Sequence, residues 1–370
     1  MRIGLNLLFL TPDAGGGVET YVRRLVDELL RLDIRNEYFL FLGSTTSFTE
    51  SANATVVRCN VNSHHRGLRY SWEQTILPLQ VMKHGIQILH SMNYVAPIVC
   101  PCKSLVTFQD LSYREQVVAM PSKRRLGLSL FSGLSARFTD GVVTVSEFSK
   151  RSICAALNVP ERRVRVVPSG PGWNATQPSR QEIENTLNKY AIARPYLTAF
   201  AGGYQHKNIP RMLTAFQSAC KDLPHHLVLI GRLPPDVDLS SNVVRPEYRK
   251  RIHSLGHIPT ADIYPILGGS ELFLFPSLYE GFGFPLLEAQ EAGVPVACSN
   301  AASIPEVAGA GAVYYDPLSV GEIAASIRSC LADSGLRKEL VQRGFENVRR
   351  FSWARAAKAH IALYDEILSQ

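Results

Sequence analysis

Short apolar runs alternate with helical patterns twice along the chain, and this alternation limits the folds that the chain can adopt. Strands separated by helical segments predict parallel sheets covered by helices, and two such sets predict two doubly wound α/β domains. The first set of predicted strands is 3–10, 38–42, 86–90, 104–108, 141–145 and 164–167, and the second is 196–201, 226–230, 272–275, 294–298 and 312–315.

A cluster of proline and glycine at 168–172 predicts the boundary between these domains. We therefore expect one domain over 1–172 and another over 173–351. Ligands of such sheets bind beyond the carboxyl ends of the strands, so two facing sheets predict one interdomain cleft.

One turn combines glycines with two carboxylates. It follows the predicted strand 272–275 and runs through Glu280-Gly-Phe-Gly-Phe-Pro-Leu-Leu-Glu288. The glycines let a ligand approach the backbone, and the first amides of the next helix are expected to be unpaired donors at a positive dipole end, suited to phosphate or sugar hydroxyls. From the pair alone, solvated surface carboxylates are an equal alternative.

Six motifs, of which this turn is one, occur in order along the chain. Together they resemble those of the retaining glycosyltransferases of family 4, which have the GT-B fold of two Rossmann-like domains facing a cleft. The resemblance covers nearly the whole chain. The motifs are Gly15-Gly-Gly-Val-Glu19, Val145-Ser-Glu-Phe-Ser149, Val167-Pro-Ser-Gly170, Gly202-Gly203 with Lys207-Asn208, the E-x7-E turn, and Pro305-Glu-Val-Ala308.

The resemblance implies transfer of a hexose from a nucleotide diphosphate sugar to a glycan or lipid-linked acceptor, with retention of configuration. Overall likeness to bacterial polysaccharide and O-antigen enzymes favours GDP-mannose or a GDP-deoxyhexose such as a rhamnose donor, and UDP sugars stay open. It also implies an acceptor-binding first domain, onto which a final helix over 352–370 returns with Ser352 as its N-cap, and a donor-binding second domain.

The resemblance assigns roles to particular residues. Glu280 is expected to hold the sugar, Glu288 the ribose and Lys207 the diphosphate; Asn208 is expected to be a cap. Gln109 stands where the family usually has histidine, and glutamine cannot titrate near neutrality. For the neighbouring Asp110, ligand contact and a turn or helix cap are equal alternatives. The other expected donor contacts are Gly16, Gly17, Gly203, Arg211, Arg232, His257, Ile258, Gly281, Phe282, Gly283, Phe284, Pro285 and Leu286.

Two alternative functions share this fold. A nucleotide-sugar epimerase is disfavoured because the E-x7-E pattern is not its signature, and a non-catalytic nucleotide-sugar-binding protein stays open because histidine is missing at 109. The resemblance implies neither a metal nor another cofactor.

Charge is distributed unevenly. Residues 1–175 carry 20 Lys and Arg against 13 Asp and Glu, whereas residues 176–370 carry 19 of each. This asymmetry predicts that the first half binds an anionic partner. A membrane surface is favoured over nucleic acid, because the sequence has no nucleic-acid recognition motif. The basic run 123–137 places Leu126, Leu130, Phe131 and Leu134 on one helical face, which predicts either a core-packed helix or a membrane contact.

Seven scattered cysteines form no disulfide pattern, and no segment approaches the length of a membrane span. We therefore expect a cytoplasmic protein. If its positively charged first half binds an anionic membrane surface, the protein is peripheral on the inner face of the membrane.

Overall fold

A computed structural model describes residues 1–11, 16–48, 51–115, 120–172, 177–235, 237–241 and 243–370. Contacts divide the chain into two compact units. The first contains Met1–Arg114, Met120–Gly170 and Phe351–Gln370, and the second is built mainly from Pro171–Arg350.

The first unit has a seven-stranded parallel sheet in the order β3-β2-β1-β4-β5-β6-β7. The strands are β1 (Arg2–Asn6), β2 (Glu37–Leu42), β3 (Ala54–Arg58), β4 (Ile88–Ser91), β5 (Lys103–Thr107), β6 (Gly141–Thr144) and β7 (Val164–Val166). Its helices are α1 (Gly17–Leu32), α2 (Arg66–Lys83), α3 (Ser122–Phe138), α4 (Glu147–Leu157) and, at the end of the chain, α12 (Trp353–Ser369).

The second unit has a six-stranded parallel sheet in the order β10-β9-β8-β11-β12-β13. The strands are β8 (Tyr196–Phe200), β9 (His226–Ile230), β10 (Ile252–Gly256), β11 (Leu272–Phe275), β12 (Val296–Ser299) and β13 (Ala312–Tyr315). The helices are α5 (Arg180–Lys189), α6 (Ile209–Ala219), α7 (Thr260–Gly268), α8 (Phe284–Glu291), α9 (Ile304–Ala308), α10 (Val320–Ala332) and α11 (Ser334–Val348).

The predicted fold class of two parallel α/β sheets is confirmed, but two strands were not predicted. Both β3 and β10 lie at the edge of their sheet and are only partly buried, so neither carries the continuous apolar run of a central strand. The first strand is also shorter than predicted, because β1 ends at Asn6 and the chain then turns, with Leu7 and Leu8 buried in the turn.

The helix α12 belongs to the first unit. It begins at the N-cap Ser352, whose side chain accepts a hydrogen bond from the Arg355 amide, as the sequence predicts. Buried polar groups attach it to the sheet: Tyr364 Oη lies 2.8 Å from His90 Nδ1, and His90 Nε2 lies 2.7 Å from Thr107 Oγ1. None of the helices in the described part of the chain has the length and hydropathy of a membrane span.

Candidate active site

Two loops meet at the carboxyl edge of the second sheet. One follows β8 and contains Gly202, Gly203 and a 3-10 turn over Gln205–Lys207; the other follows β11 and contains the E-x7-E turn. The strands β8 and β11 are parallel neighbours, so their loops leave the same edge side by side. The amide of Leu278 donates a hydrogen bond of 2.8 Å to the His206 carbonyl and joins the two loops.

Lys207 and Glu280 form a largely buried ion pair across these loops. Lys207 Nζ donates to Glu280 Oε1 at 2.7 Å, and the two side chains are 15% and 14% exposed. Burial alone would raise the pKa of the Glu280 carboxyl, but the charges of Lys207 and His206 and the hydrogen bond from Lys207 outweigh it and hold the pKa below its ordinary value. Glu280 is therefore ionised at neutral pH beside a cation.

The backbone around the pair is shaped to hold it. Gly202 has a φ of 66°, and a Cβ added there would lie 2.9 Å from Lys207 Cε, so glycine gives the lysine stem room. Lys207 Nζ also lies 5.4 Å from the ring centroid of Phe275. Ser303 Oγ donates to the carbonyl oxygens of Glu280 and Phe282, at 2.8 and 3.1 Å. Sequence reasoning missed Ser303, for which its position just before Pro305-Glu306 was the only signal.

The helix α8 begins where expected but uses one of its amides internally. Gly283 is in the left-handed region with a φ of 107°, Phe284 is the first helical residue and Pro285 lies in the first turn. The Leu286 amide donates to the Gly283 carbonyl at 3.0 Å. The expectation that Leu286 offers an unpaired amide to a phosphate is therefore wrong, because the helix begins with a tight turn that satisfies this donor.

Glu288 lies on α8 and is only 5% exposed. Burial, together with the nearby carboxyl of Glu291, raises the pKa of Glu288 to about 8, against an opposing effect of Lys207. A protonated carboxyl can donate as well as accept a hydrogen bond, which suits a pair of ribose hydroxyls. The chain at Gly172 passes close to this side chain, since a Cβ added at 172 would lie 2.1 Å from Glu288 Oε1.

The two candidate arginines differ in their surroundings. Arg232 follows β9, and its Cβ and carbonyl oxygen lie within 3.9 Å of a Cβ built on Gly203, so it borders the glycine loop. Arg211 lies in the first turn of α6 and donates to Asn208 Oδ1 at 3.0 Å. Asn208 was expected to be a cap, but its side chain makes no cap hydrogen bond. Its side-chain amide donates instead to the carbonyls of Pro276 and Pro317, and so connects two loops.

The loop after β10 contains His257 and Ile258. Ile258 is 4% exposed and packs in a cluster with Ile230 and Ile266, whereas His257 is exposed. The Gly231 amide donates to the Gly256 carbonyl at 2.8 Å, which fixes this loop to the end of β9. Because its side chain is buried, Ile258 can offer a ligand only its backbone polar groups.

Four candidate residues belong to the first unit. Gly16, with a φ of 101°, occupies the N-cap of α1, and Gly17 is the first helical residue; Gly15 lies outside the described residues. Gln109 follows β5 and accepts a hydrogen bond from Ser149 Oγ through its carbonyl, at 3.0 Å. Asp110 Oδ1 accepts hydrogen bonds from Tyr94 Oη and from the amide and hydroxyl of Ser112. This is the geometry of a turn cap, one of the two alternatives for Asp110.

The structure thus brings Lys207, Glu280 and the start of α8 together within the second unit, with Glu288 one turn further along α8. No group of three or more histidine, cysteine or carboxylate side chains within the described ranges is arranged to hold a metal ion.

Comparison with known proteins identifies the class. Residues 15–170 match the model of Glycosyltransferase Family 4, and residues 182–347 match that of Glycosyl transferases group 1. The chain is 31% identical over 284 residues to O-antigen chain mannosyltransferase B of Escherichia coli, covering 75% of this chain and 74% of that one. It is 24% identical over 360 residues to the serotype-specific mannosyltransferase WbdA of Escherichia coli, of which it covers 42%.

Solved structures agree on the fold. The crystal structure of Anabaena HepE in complex with UDP-glucose matches with a TM-score of 0.77 and 16% identity, covering 99% of this chain and 100% of that one. WaaG, a glycosyltransferase of lipopolysaccharide biosynthesis, matches with a TM-score of 0.73 and 15% identity over 97% of this chain and 98% of that one. Fold and site together define a GT-B glycosyltransferase. The chain belongs to family 4, a family of retaining enzymes.

Proposed function

We propose that this enzyme transfers mannose, or a deoxyhexose such as rhamnose, from a GDP sugar to a glycan or lipid-linked acceptor with retention of configuration. The observation that carries the proposal is the largely buried pair of Lys207 and Glu280 beside the start of α8. A cation and a carboxylate fixed 2.7 Å apart suit the two parts of a nucleotide sugar on either side of the bond that breaks, the leaving phosphate and the sugar hydroxyls.

The roles follow from charge and position. Lys207 stabilises the negative charge that grows on the leaving diphosphate, assisted by the amides of Gly16 and Gly17 and by Arg232. Glu280 accepts hydrogen bonds from hydroxyls of the transferred sugar and stabilises the positive charge that develops at its anomeric carbon. Glu288 holds the ribose, and the backbone at His257 and Ile258 contacts the base.

No protein nucleophile is needed for this reaction. The leaving phosphate takes the proton of the acceptor hydroxyl while that hydroxyl attacks from the same face of the sugar, so configuration is retained. Gln109 contributes a hydrogen bond to the sugar rather than a proton transfer, because an amide does not titrate near neutrality. Asp110 fixes the turn that carries Gln109.

The relatives and the solved structures bear on the choice of donor. The relatives named above are mannosyltransferases, which favours GDP-mannose, whereas the HepE complex contains UDP-glucose. Thermal unfolding with GDP, UDP, ADP and TDP tests this choice, since a nucleotide at about 100 times its Kd stabilises the folded protein by about 2.7 kcal/mol. We expect GDP to give the largest stabilisation. A larger stabilisation by UDP than by GDP would indicate that the donor is a UDP sugar and not GDP-mannose.

Catalysis is tested by measuring nucleotide release with and without acceptor glycosides. Lys207→Ala and Glu280→Gln are each expected to reduce transfer by about 10²-fold or more, as the loss of a charge contact in the transition state does. Lys189→Ala is the matched control, because Lys189 also pairs at 2.7 Å, with Asp262, but is 55% exposed. Near-normal transfer in either site variant would remove that residue from the mechanism, and nucleotide release that never requires an acceptor would favour an epimerase or a hydrolase.

We also propose that the first unit contacts an anionic membrane surface. On α3, Leu126 and Leu130 are 72% and 58% exposed, and the helix buries Ser132, Ser135 and Ala136 instead. The sequence-based alternative of a helix that packs these leucines into the core is thus disfavoured. The exposed Leu68, Leu79 and Met82 lie on the neighbouring helix α2, which contacts α3 through Tyr70 and Phe131, with ring centroids 5.1 Å apart.

Liposome flotation tests this surface. Binding to vesicles containing anionic lipid is expected to weaken with salt and with Lys123, Arg124 and Arg125 changed to glutamate, because screening and charge reversal reduce the attraction. Equal binding to neutral and anionic vesicles would contradict it.

A further inference from the structure

Polar atoms that are buried without a hydrogen-bond partner are concentrated at one edge of the first sheet. Such atoms are rare in native proteins because each costs about 1–3 kcal/mol. Among the described residues of the first unit, several occur at, or two to three residues after, the last residue of a strand. They are Asn93 after β4, Gln109 after β5, Thr144 at the end of β6 and Ser169 after β7.

Glu73 adds a carboxylate to this edge. Its side chain extends from α2 and is 2% exposed, and one oxygen, Oε1, accepts from Asn6 Nδ2 at 3.3 Å. Asn6 is the last residue of β1, and its amide also bonds to Ser91 Oγ, at the end of β4, at 3.2 Å. Asn6 thus fixes Glu73 at the carboxyl ends of two neighbouring strands, where ligands of parallel α/β sheets bind.

The second oxygen of Glu73, Oε2, makes no hydrogen bond within the described part of the chain. Arg69, on the same helix, has its Nε 3.7 Å from Glu73 Oε1, outside hydrogen-bond distance, and this Nε is likewise without a partner there. A buried carboxylate that is paired at this distance and half satisfied is costly for folding. Burial raises its pKa to about 7, against opposing effects of Arg69 and Asn6.

We propose that Glu73 and Asn93 bind two hydroxyls of the acceptor, and that the acceptor end reached by this enzyme is therefore a sugar rather than a simple alcohol. The inference rests on the proposed glycosyl transfer. A hydroxyl both donates and accepts, so one hydroxyl can donate to Glu73 Oε2 and accept from Arg69 Nε, while a second donates to Asn93 Oδ1. The unpaired atoms are buried, but Asn93 and Gln109 are partly exposed as whole residues, so this edge borders solvent.

The test compares octyl α-mannoside with its monodeoxy analogues as acceptors. Glu73→Gln is expected to raise the acceptor KM by about tenfold or more, the size of a lost charge-assisted hydrogen bond. Thermal stabilisation by the nucleotide alone should stay at the wild-type level. With the wild-type enzyme, one monodeoxy analogue should show a similar increase in KM over octyl α-mannoside. With Glu73→Gln, this analogue and octyl α-mannoside should have the same KM, a result that a purely structural role would not give.

Asp33→Asn is the matched control. Asp33 is a buried carboxylate of the same unit, 3% exposed, but it lies before β2 and bonds to Asn36 and Tyr38. An unchanged acceptor KM in Glu73→Gln, or the same KM increase in Asp33→Asn, would overturn the proposal. If Glu73→Gln does not fold, Asn93→Ala provides the same comparison.

Binding measured directly separates the two proposals. Saturation-transfer NMR of octyl α-mannoside should show contact with the wild-type protein and a loss of contact with Glu73→Gln, whether or not transfer occurs. Absence of transfer with every nucleotide sugar would refute the proposed function alone, whereas equal binding by both proteins would refute the acceptor site alone.

Discussion

Replacement of Lys207 by methionine is expected to destabilise the enzyme because it leaves Glu280 charged, largely buried and without its partner. At 2.7 Å and an effective dielectric constant of about 20, the attraction within the pair is about 6 kcal/mol, which offsets the cost of removing both charges from water. Methionine retains an apolar stem beside Phe275 but no charge. We therefore expect a loss of about 3–5 kcal/mol in the free energy of unfolding, the usual cost of breaking a buried pair from one side.

The double variant Lys207→Met with Glu280→Gln removes both charges and should recover most of this stability, while transfer stays lost. Urea unfolding of the wild type, both single variants and the double variant measures the coupling. Lys189→Met should change stability far less than Lys207→Met, because its pair with Asp262 has the same length but a solvent-exposed lysine. A double variant no more stable than the Lys207→Met single variant would refute the explanation by an unpaired buried charge.

Three further predictions concern other parts of the structure. Gly172→Ala should displace Glu288 and weaken nucleotide binding in calorimetry by about tenfold, because the new Cβ would lie 2.1 Å from Glu288 Oε1; Gly67→Ala, where a Cβ meets nothing within 4 Å, should leave binding unchanged, and equal effects of the two would contradict this role of Gly172. Burial lowers the pKa of His360 to about 4, so between about pH 6.5 and pH 4 the unfolded chain binds a proton that the native state does not. The free energy of unfolding should therefore fall by up to about 3 kcal/mol as the pH drops through this range. If the free energy of unfolding measured with urea depends on pH as steeply in His360→Asn as in the wild type, this explanation is contradicted. Gln109→Ala should reduce kcat while Gln109→His keeps activity and gains a pH dependence near 6.5; full activity in Gln109→Ala would place this residue outside the site, and activity that appears only in Gln109→His would mark the natural chain as a binder.

The central strands of both sheets could be predicted because a strand buried on both faces is continuously apolar, as in 272–275. The edge strands β3 and β10 could not, because their partial exposure leaves mixed sequences such as Ala54–Arg58. The E-x7-E turn and Lys207 could be recognised from motifs alone. Their direct contact could not, because it depends on β8 lying beside β11, which is a property of sheet order and not of local sequence.

Hydrogen-bond partners were harder to predict than positions. Asn208 stands where a cap is expected but bonds to two distant carbonyls, and Leu286 stands at a helix start but has its amide occupied. Both outcomes follow from tertiary packing and turn geometry. Ser303, just before α9, and Glu73, within α2, were missed because a single serine or glutamate carries no local sign of its partners.

The anomeric configuration of the product tests the central claim most directly. The enzyme is incubated with octyl α-mannoside and the sugar of the nucleotide that stabilises it most, labelled with ¹³C at the anomeric carbon, and the one-bond carbon–proton coupling of the product is read by NMR. Retaining transfer predicts a new glycoside with the donor's own anomeric configuration, formed by the wild type and lost in Lys207→Ala. A product of inverted configuration, or nucleotide release with no new glycosidic linkage, would contradict it.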